Sequence, residues 1–129
     1  MIVGIGVDMV NISRFSKKKQ EFALRILSEY EYQQWQIRHY CVAFLAKRFA
    51  AKEAFAKALN TGIRNNINFK DIEIRNDPHG APYILLYNKT NQLFKTKATD
   101  LHISITDEKE YATAMVIIEN NTSLPELSC

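Results

Sequence analysis

Cysteine is scarce in this chain, and long apolar runs are missing. Cys41 and Cys129 stand at no metal-ligand spacing and are too few for a disulfide framework, so neither is expected to carry chemistry. No apolar stretch approaches the roughly eighteen residues needed to cross a bilayer, and the opening MIVGIGVD has neither a basic start nor a small-residue cleavage site. Together these predict a cytoplasmic protein with no membrane partner. The common nucleotide cradles are absent as well: there is no GxxxxGK(S/T), and no GxGxxG opens a helix after the first strand. Internal repeats and linkers are lacking too. One compact domain is therefore expected over residues 1–119, followed by an unpatterned, flexible tail over 120–129.

The chain does have enough apolar material for one core, 47% of 129 residues. Its charge is unevenly spread. Residues 1–64 carry eleven Lys or Arg against five acids, whereas residues 65–129 carry six against nine. The basic half suits a phosphate-rich ligand or an acidic partner, although an ordinary solvated face carries an excess of this size as well.

Residues 2–10, IVGIGVDMV, follow period two and predict a strand with Val3, Ile5, Val7 and Met9 on one face and Gly4, Gly6 and Asp8 on the other. Glycine weakens a strand unless something must approach its backbone. That face therefore points to a ligand or a neighbouring subunit; the plainer alternative is a softened strand with Asp8 at its end. Phe22, Ala23, Ile26, Leu27 and Tyr30 fall at helical spacing and predict one amphipathic helix over about residues 16–39, with Arg14, Lys18 and Arg25 in one basic sector. A break near residues 38–40 precedes a second helix over about 42–60, stopped by Asn60-Thr61-Gly62. IEIR (72–75) and YILLY (83–87) flank the turn NDPHGAP as a hairpin, and residues 88–99 read as a short helix. LHISIT (101–106) and YATAMVIIE (111–119) form a second hairpin. The fold class is α+β with a mainly antiparallel sheet packed with helices.

The stretch FAAKEAFAKAL (49–59) is apolar at eight of eleven positions, yet Lys52, Glu53 and Lys57 interrupt it. Glu53 and Lys57 lie about 40° apart on a helix, in one sector with Val42, Ala46, Phe49 and Ala50. They are either an exposed i,i+4 pair or a charged pair on the wall of a site. For a polyphosphate ligand the second use is definite. Magnesium takes one or two carboxylates plus substrate phosphates, so Asp8 and Glu53 could supply the protein's share, with a lysine neutralising the remainder and Arg48 holding a further phosphate. His102, Ser104 and Thr106 share one strand face without a nucleophile elbow, which describes an ordinary exposed face as well as it does a site.

Three separated segments, GIGVDMVNISRF (4–15), RFAAKEAFAKALNTGI (48–63) and LHISITDEKEYATAMVIIE (101–119), resemble in order and spacing the signature blocks of the holo-acyl-carrier-protein synthases. These are the short bacterial class of 4′-phosphopantetheinyl transferases. HGAP (79–82) resembles that family's G-x-P block. The resemblance implies the 4′-phosphopantetheinyl transferase fold, and transfer of the phosphopantetheine arm of coenzyme A to a serine of apo acyl carrier protein, in fatty acid biosynthesis, with release of adenosine 3′,5′-bisphosphate.

Carried over by position, the resemblance implies that Asp8 and Glu53 bind magnesium, with Glu53 also receiving the serine proton directly or through an ordered water. Lys57 would neutralise the phosphate under attack, and Arg48 would lie near the nucleotide 3′-phosphate. Gly62, Pro82, His102, Ser104 and Thr106 would line the coenzyme A cleft. Arg14, Lys17, Lys18 and Arg25 would form the docking edge for the acidic acyl carrier protein. The resemblance further implies a homotrimer with sites between subunits, Asp8 facing either a neighbour's helix or its own chain's Glu53. Asn60 stands where relatives commonly have glycine. Tyr40 and Cys41 stand where they are often basic, leaving Arg38 or His39 for that phosphate contact. A nucleic-acid-binding domain would interleave aromatics with Lys and Arg on a sheet face, whereas Phe22, Tyr30, Phe49 and Phe55 sit at helical core spacing, so no nucleic-acid partner is expected. A non-catalytic trimeric scaffold would have dispensed with Asp8 or Glu53, and both are present.

Overall fold

The structure, a computed structural model, describes residues 1–59 and 67–122. β1 (Ile2–Asn11) is followed by α1 (Lys19–Ile26), α2 (Glu29–Ile37) and the long α3 (Val42–Ala58). Then come β2 (Ile72–Asn76), β3 (Pro82–Leu86), α4 (Asn88–Lys97), β4 (Asp100–Asp107) and β5 (Tyr111–Glu119). The strands form an antiparallel three-stranded sheet in the order β1-β5-β4 and a separate β2-β3 hairpin, so the α+β, antiparallel expectation holds. No helix among the described residues is long and apolar enough to cross a membrane.

α3 lies on β1 and β5 at unusually short range because both surfaces are small. The helix contributes Ala50, Ala51, Ala54 and Ala58, and β5 contributes Ala112, Ala114, Val116 and Ile118, all buried. On β1 the helix meets bare backbone: a Cβ added at Gly4 would sit 1.9 Å from the Ala58 carbonyl oxygen, and one at Gly6 1.9 Å from that of Ala54. The close approach that the glycines signal is therefore made by the chain's own helix. This corrects the expectation of a ligand or neighbouring subunit at Gly4 and Gly6. Asp8, next on the same face and level with Ala114 of β5, is carried to the edge of α3.

The other side of β1 turns outward: Ile5, Val7 and Met9 are 59%, 55% and 64% exposed, and Met115 on β5 is exposed beside them. In register, Ile5 lies opposite Ile117 and Val7 opposite Met115, while His102 and Ser104 of β4 oppose the same two β5 residues. This face of the sheet is uncovered and largely apolar.

The single helix expected over residues 16–39 is two helices. Arg14 sits in a 3-10 turn (Ile12–Phe15), Lys18 is left-handed at φ 57, and α1 ends at Leu27, whose backbone is extended. α2 then restarts with a capping box: the Glu31 amide donates to Ser28 Oγ at 3.2 Å and the Ser28 amide donates to Glu31 Oε1 at 2.9 Å. That Ser-x-x-Glu signal is present in the sequence, but the apolar spacing runs continuously across it. The break at residues 38–40 is as expected, with left-handed His39 and Tyr40. At the far end, residues expected to belong to a loose tail are held. The Asn120 amide donates to the Met1 carbonyl at 2.8 Å, and Asn121 Nδ2 donates to Asp100 Oδ2 at 2.7 Å.

Gly6→Ala tests the helix–strand contact. With a carbonyl oxygen 1.9 Å from the new Cβ, the helix must lift. A loss of about 2–3 kcal/mol in denaturant unfolding is expected. Wild-type stability would show that α3 does not rest on the β1 backbone.

Candidate active site

The three charges of FAAKEAFAKAL go to two different places, because consecutive residues on a helix diverge by about 100°. Lys52 turns inward and is fully buried. Its ammonium forms an ion pair with Glu31 Oε1 at 2.6 Å and donates to the carbonyls of Phe69, at 2.9 Å, and Ile26. Glu31 is itself completely buried, and its other oxygen accepts the Ile74 amide at 2.9 Å. Burial pulls the Lys52 ammonium below the ordinary lysine value, with Glu31 opposing that shift. Lys52 thus ties α3 to α2, to the end of α1 and to the segment before β2.

Glu53 and Lys57 lie on the side of the helix that meets β1. Lys57 Nζ is 3.0 Å from Asp8 Oδ1 and also donates to the Val7 carbonyl at 3.0 Å. Asp8 Oδ2 is buried and has no hydrogen-bond partner. Glu53 is half-buried; burial, and after it the Asp8 carboxylate, push its pKa above the usual carboxylate value, while Lys57 and Arg14 pull the other way. Two acidic side chains forty-five positions apart in the sequence are therefore electrostatically coupled in one chain. Among the described residues no cluster of three or more His, Cys, Asp or Glu is placed to hold a metal. A cation here would rely on two carboxylates, with oxygens from substrate and water completing its shell.

Two cavities flank this helix. The larger, about 720 Å³, has Glu53 on its wall, Phe22, Phe49 and Phe69 among its apolar residues, and Arg14 and Arg25 also lining it. The structure thus brings two of the four expected docking residues to the rim of the acidic site. Lys17 and Lys18 lie exposed in the turn before α1, outside that lining. A second cavity of about 410 Å³ is lined by Arg38, Lys47, Arg48, Asn76 and Pro82 among others. Arg48 is held there rather than free: Nη2 donates to Asn76 Oδ1 at 3.1 Å, and the guanidinium lies 4.3 Å from the centre of the Phe44 ring. Burial lowers its pKa to about 10, leaving it charged at neutral pH, with its Nε buried and without a hydrogen-bond partner. Arg38, whose guanidinium is also over the Phe44 ring at 4.9 Å, lines this cavity and His39 does not.

His102, Ser104 and Thr106 are exposed, but on the sheet face opposite the one that carries Asp8; their neighbours in β4, Ile105 and Asp107, are the ones that line the Arg48 cavity. Gly62 lies outside the described residues. Sequence reasoning missed Glu31, Asn76 and Phe44. The capping box marks Glu31, but nothing in the sequence tells that its carboxylate also reaches Lys52, and the roles of Asn76 and Phe44 exist only once the hairpin docks on α3.

Residues 4–116 match the profile of the 4′-phosphopantetheinyl transferase superfamily. The chain is 46% identical over 123 residues to the holo-(acyl-carrier-protein) synthase of Photorhabdus laumondii, covering 92% of this chain and 98% of that protein. Among solved structures, it superposes on holo-(acyl-carrier-protein) synthase of Neisseria meningitidis with TM-score 0.85 at 38% identity, covering 93% of this chain and all of that one. The Bacillus anthracis holo-(acyl-carrier-protein) synthase, solved in complex with CoA (3′,5′-ADP), gives TM-score 0.77 at 37% identity over 94% of this chain and 99% of that one.

Replacing Lys52 by Met separates the inward charge from the site charges. It strands the Glu31 carboxylate and two carbonyls in the interior, and unfolding measurements should show a loss of about 3–5 kcal/mol. A variant as stable as wild type would mean that the pair adds nothing to the docking of α3.

Proposed function

The chain belongs to the 4′-phosphopantetheinyl transferase superfamily, and on that premise we propose that it is a holo-(acyl-carrier-protein) synthase. It transfers 4′-phosphopantetheine from coenzyme A to a serine of apo acyl carrier protein, for fatty acid biosynthesis in the cytoplasm. The observation that carries the reading is the meeting of Asp8, Glu53 and Lys57 on one edge of α3, with cationic cavities to either side.

The donor set fits magnesium. Asp8 Oδ2 is a buried oxygen without a partner, and Glu53 resists ionisation because burial and then the Asp8 carboxylate outweigh the pull of Lys57 and Arg14. Bound between them together with the pyrophosphate of coenzyme A, magnesium would supply charge neutralisation at the phosphate oxygens. Lys57 adds a positive charge on the same edge and would neutralise the phosphoryl group being transferred. The serine oxygen of the carrier bonds to the phosphorus that bears the pantetheine arm as the bond from that phosphorus to the bridging oxygen breaks. The electron pair leaves with adenosine 3′,5′-bisphosphate, and Glu53 accepts the serine proton. A raised pKa suits that role, since it brings the carboxylate closer in basicity to a working proton acceptor. Arg48, with Arg38 beside it, would take the 3′-phosphate, and Pro82 and Gly62 would line the cleft. Arg14 and Arg25, with Lys17 and Lys18, would steer the acidic carrier toward Glu53.

A homotrimer is part of this reading. What supports it is the uncovered apolar sheet face, on which His102, Ser104 and Thr106 also lie. A neighbouring copy set against that face would bury Ile5, Val7 and Met115, and would bring the three β4 residues to a cleft shared between subunits.

Mass spectrometry of an apo acyl carrier protein incubated with coenzyme A, magnesium and this protein should show the gain of one phosphopantetheine group, with a rate that falls as salt rises. An unchanged carrier mass with folded enzyme rejects the proposal. Glu53→Gln should abolish the gain while leaving stability at pH 7 equal to or above wild type. Because the folded-state pKa of Glu53 is raised, its ionisation works against folding, and that penalty grows as pH rises through the ordinary glutamate range. By the same sign, wild-type turnover should be lost on acidification at a pH above that range; near-wild-type rates in Glu53→Gln would remove Glu53 from the chemistry. For the assembly, light scattering should give three chains for the wild type and one for the Ile5→Lys, Met115→Lys double variant, and a monomeric wild type would refute the trimer.

A further inference from the structure

We propose that Lys57 is an exchangeable counter-ion: it competes with the divalent cation for Asp8 and is released to the transferring phosphate as the cation binds. The inference rests on the reading that Asp8 and Glu53 hold that cation, and deepens it by assigning the order in which the positive charges occupy the site.

The geometry distinguishes the partner that moves from the one that stays. The Asp8 side chain is 15% exposed and sits on a strand whose backbone is pressed against α3, so its carboxylate cannot withdraw from the site. The Lys57 side chain is 52% exposed and carries its ammonium on a flexible four-carbon stem, so its contact is the breakable one. Two of its three donors are engaged, one by Asp8 Oδ1 and one by the Val7 carbonyl, both at 3.0 Å. This places one unit of positive charge against a carboxylate whose second oxygen is buried and unpartnered. A divalent ion on the same carboxylate repels the ammonium, since like charges within a few ångströms in a partly buried site act strongly on each other. Glu53, one helical turn before Lys57 and electrostatically linked to it, offers the released ammonium a nearby path along α3. Arg14 is the other cation that acts on Glu53 and lines the same cavity, but among the described residues it is Lys57 that pairs with Asp8 and is placed to exchange with the metal there. Lysine and metal would then be linked: the ammonium is free to meet the phosphate only in a site that already holds its cation.

Calorimetric titration with magnesium or manganese alone, without coenzyme A, tests this on the full-length protein. Lys57→Met should bind the ion roughly three- to tenfold more tightly than wild type, the size expected from removing one partly exposed unit charge beside a divalent ion. Lys57→Gln, which keeps a donor for the Val7 carbonyl but no charge, should gain to the same extent. Lys89→Met, an exposed charge on α4, should bind like wild type, and Asp8→Asn should not bind. Wild-type binding that depends on Asp8, with no gain in either Lys57 variant, overturns the exchange and leaves the metal assignment standing. An equal gain in Lys89→Met also overturns it, since overall charge then explains the effect. Should neither wild type nor Lys57→Met bind in an Asp8-dependent way, the metal reading fails and the exchange with it.

Discussion

Everything at the site depends on how close α3 can come to β1. Two glycines remove the side chains that would hold the helix away, and its carbonyls at Ala54 and Ala58 fill the space where Cβ atoms would stand. This contact sets the register between strand and helix. Asp8 follows Gly6 by two positions on the same face, and Lys57 precedes Ala58, so the seating that satisfies the glycines also sets the aspartate against the lysine. The geometry that sets Asp8 against Lys57 is a by-product of backbone packing, which is rigid where side-chain packing alone would be adjustable.

A contact that close needs support from behind. α3 has small residues toward the sheet and no long apolar anchors there, so the opposite side of the helix supplies the fixing. Lys52 reaches Glu31, which caps α2 and accepts an amide of β2, while Ser28 of the same cap donates to the buried Glu73 at 2.7 Å. A buried ion pair is poor evidence of net stability, since desolvation offsets much of its attraction. Its contribution is specificity: an apolar replacement would fill the volume, but would not require α1, α2 and β2 to converge on one residue of α3.

The sequence made the topology legible because most elements announce themselves locally. The alternation of β1, the two hairpins and the extent of α3 were all read within a residue or two. It also singled out Asp8, Glu53 and Lys57, since charges on an otherwise apolar helix need a reason. What it hid was directional. Lys52 and Lys57 look alike in FAAKEAFAKAL, and only the fold tells that one is sealed inside while the other is half in water. The partner that neutralises Lys52 lies in a helix that the apolar spacing had merged with its neighbour. The glycines announced a close approach without identifying what approaches, and the face of Ile5, Val7 and Met9 is the open one.

The electrostatics of the site also bear on its division of labour. Folding has left Asp8 with an unpartnered buried oxygen and Glu53 with a proton affinity above the ordinary one, while the interior pair Lys52–Glu31 is fully satisfied. A chain able to satisfy a buried ion pair with four further hydrogen bonds could have neutralised Asp8 and Glu53 in the same way, for instance by an arginine fork across both carboxylates. Instead a flexible lysine stands against Asp8, and Lys57 and Arg14 together offset only part of the burial of Glu53. A group that resists its charge in the free protein gains most when positive charge arrives, so under the proposed function the deficit at Glu53 would favour a cation-bearing diphosphate. Under the proposed function, the unpartnered oxygen of Asp8 is the feature of the fold that an arriving cation would satisfy most directly.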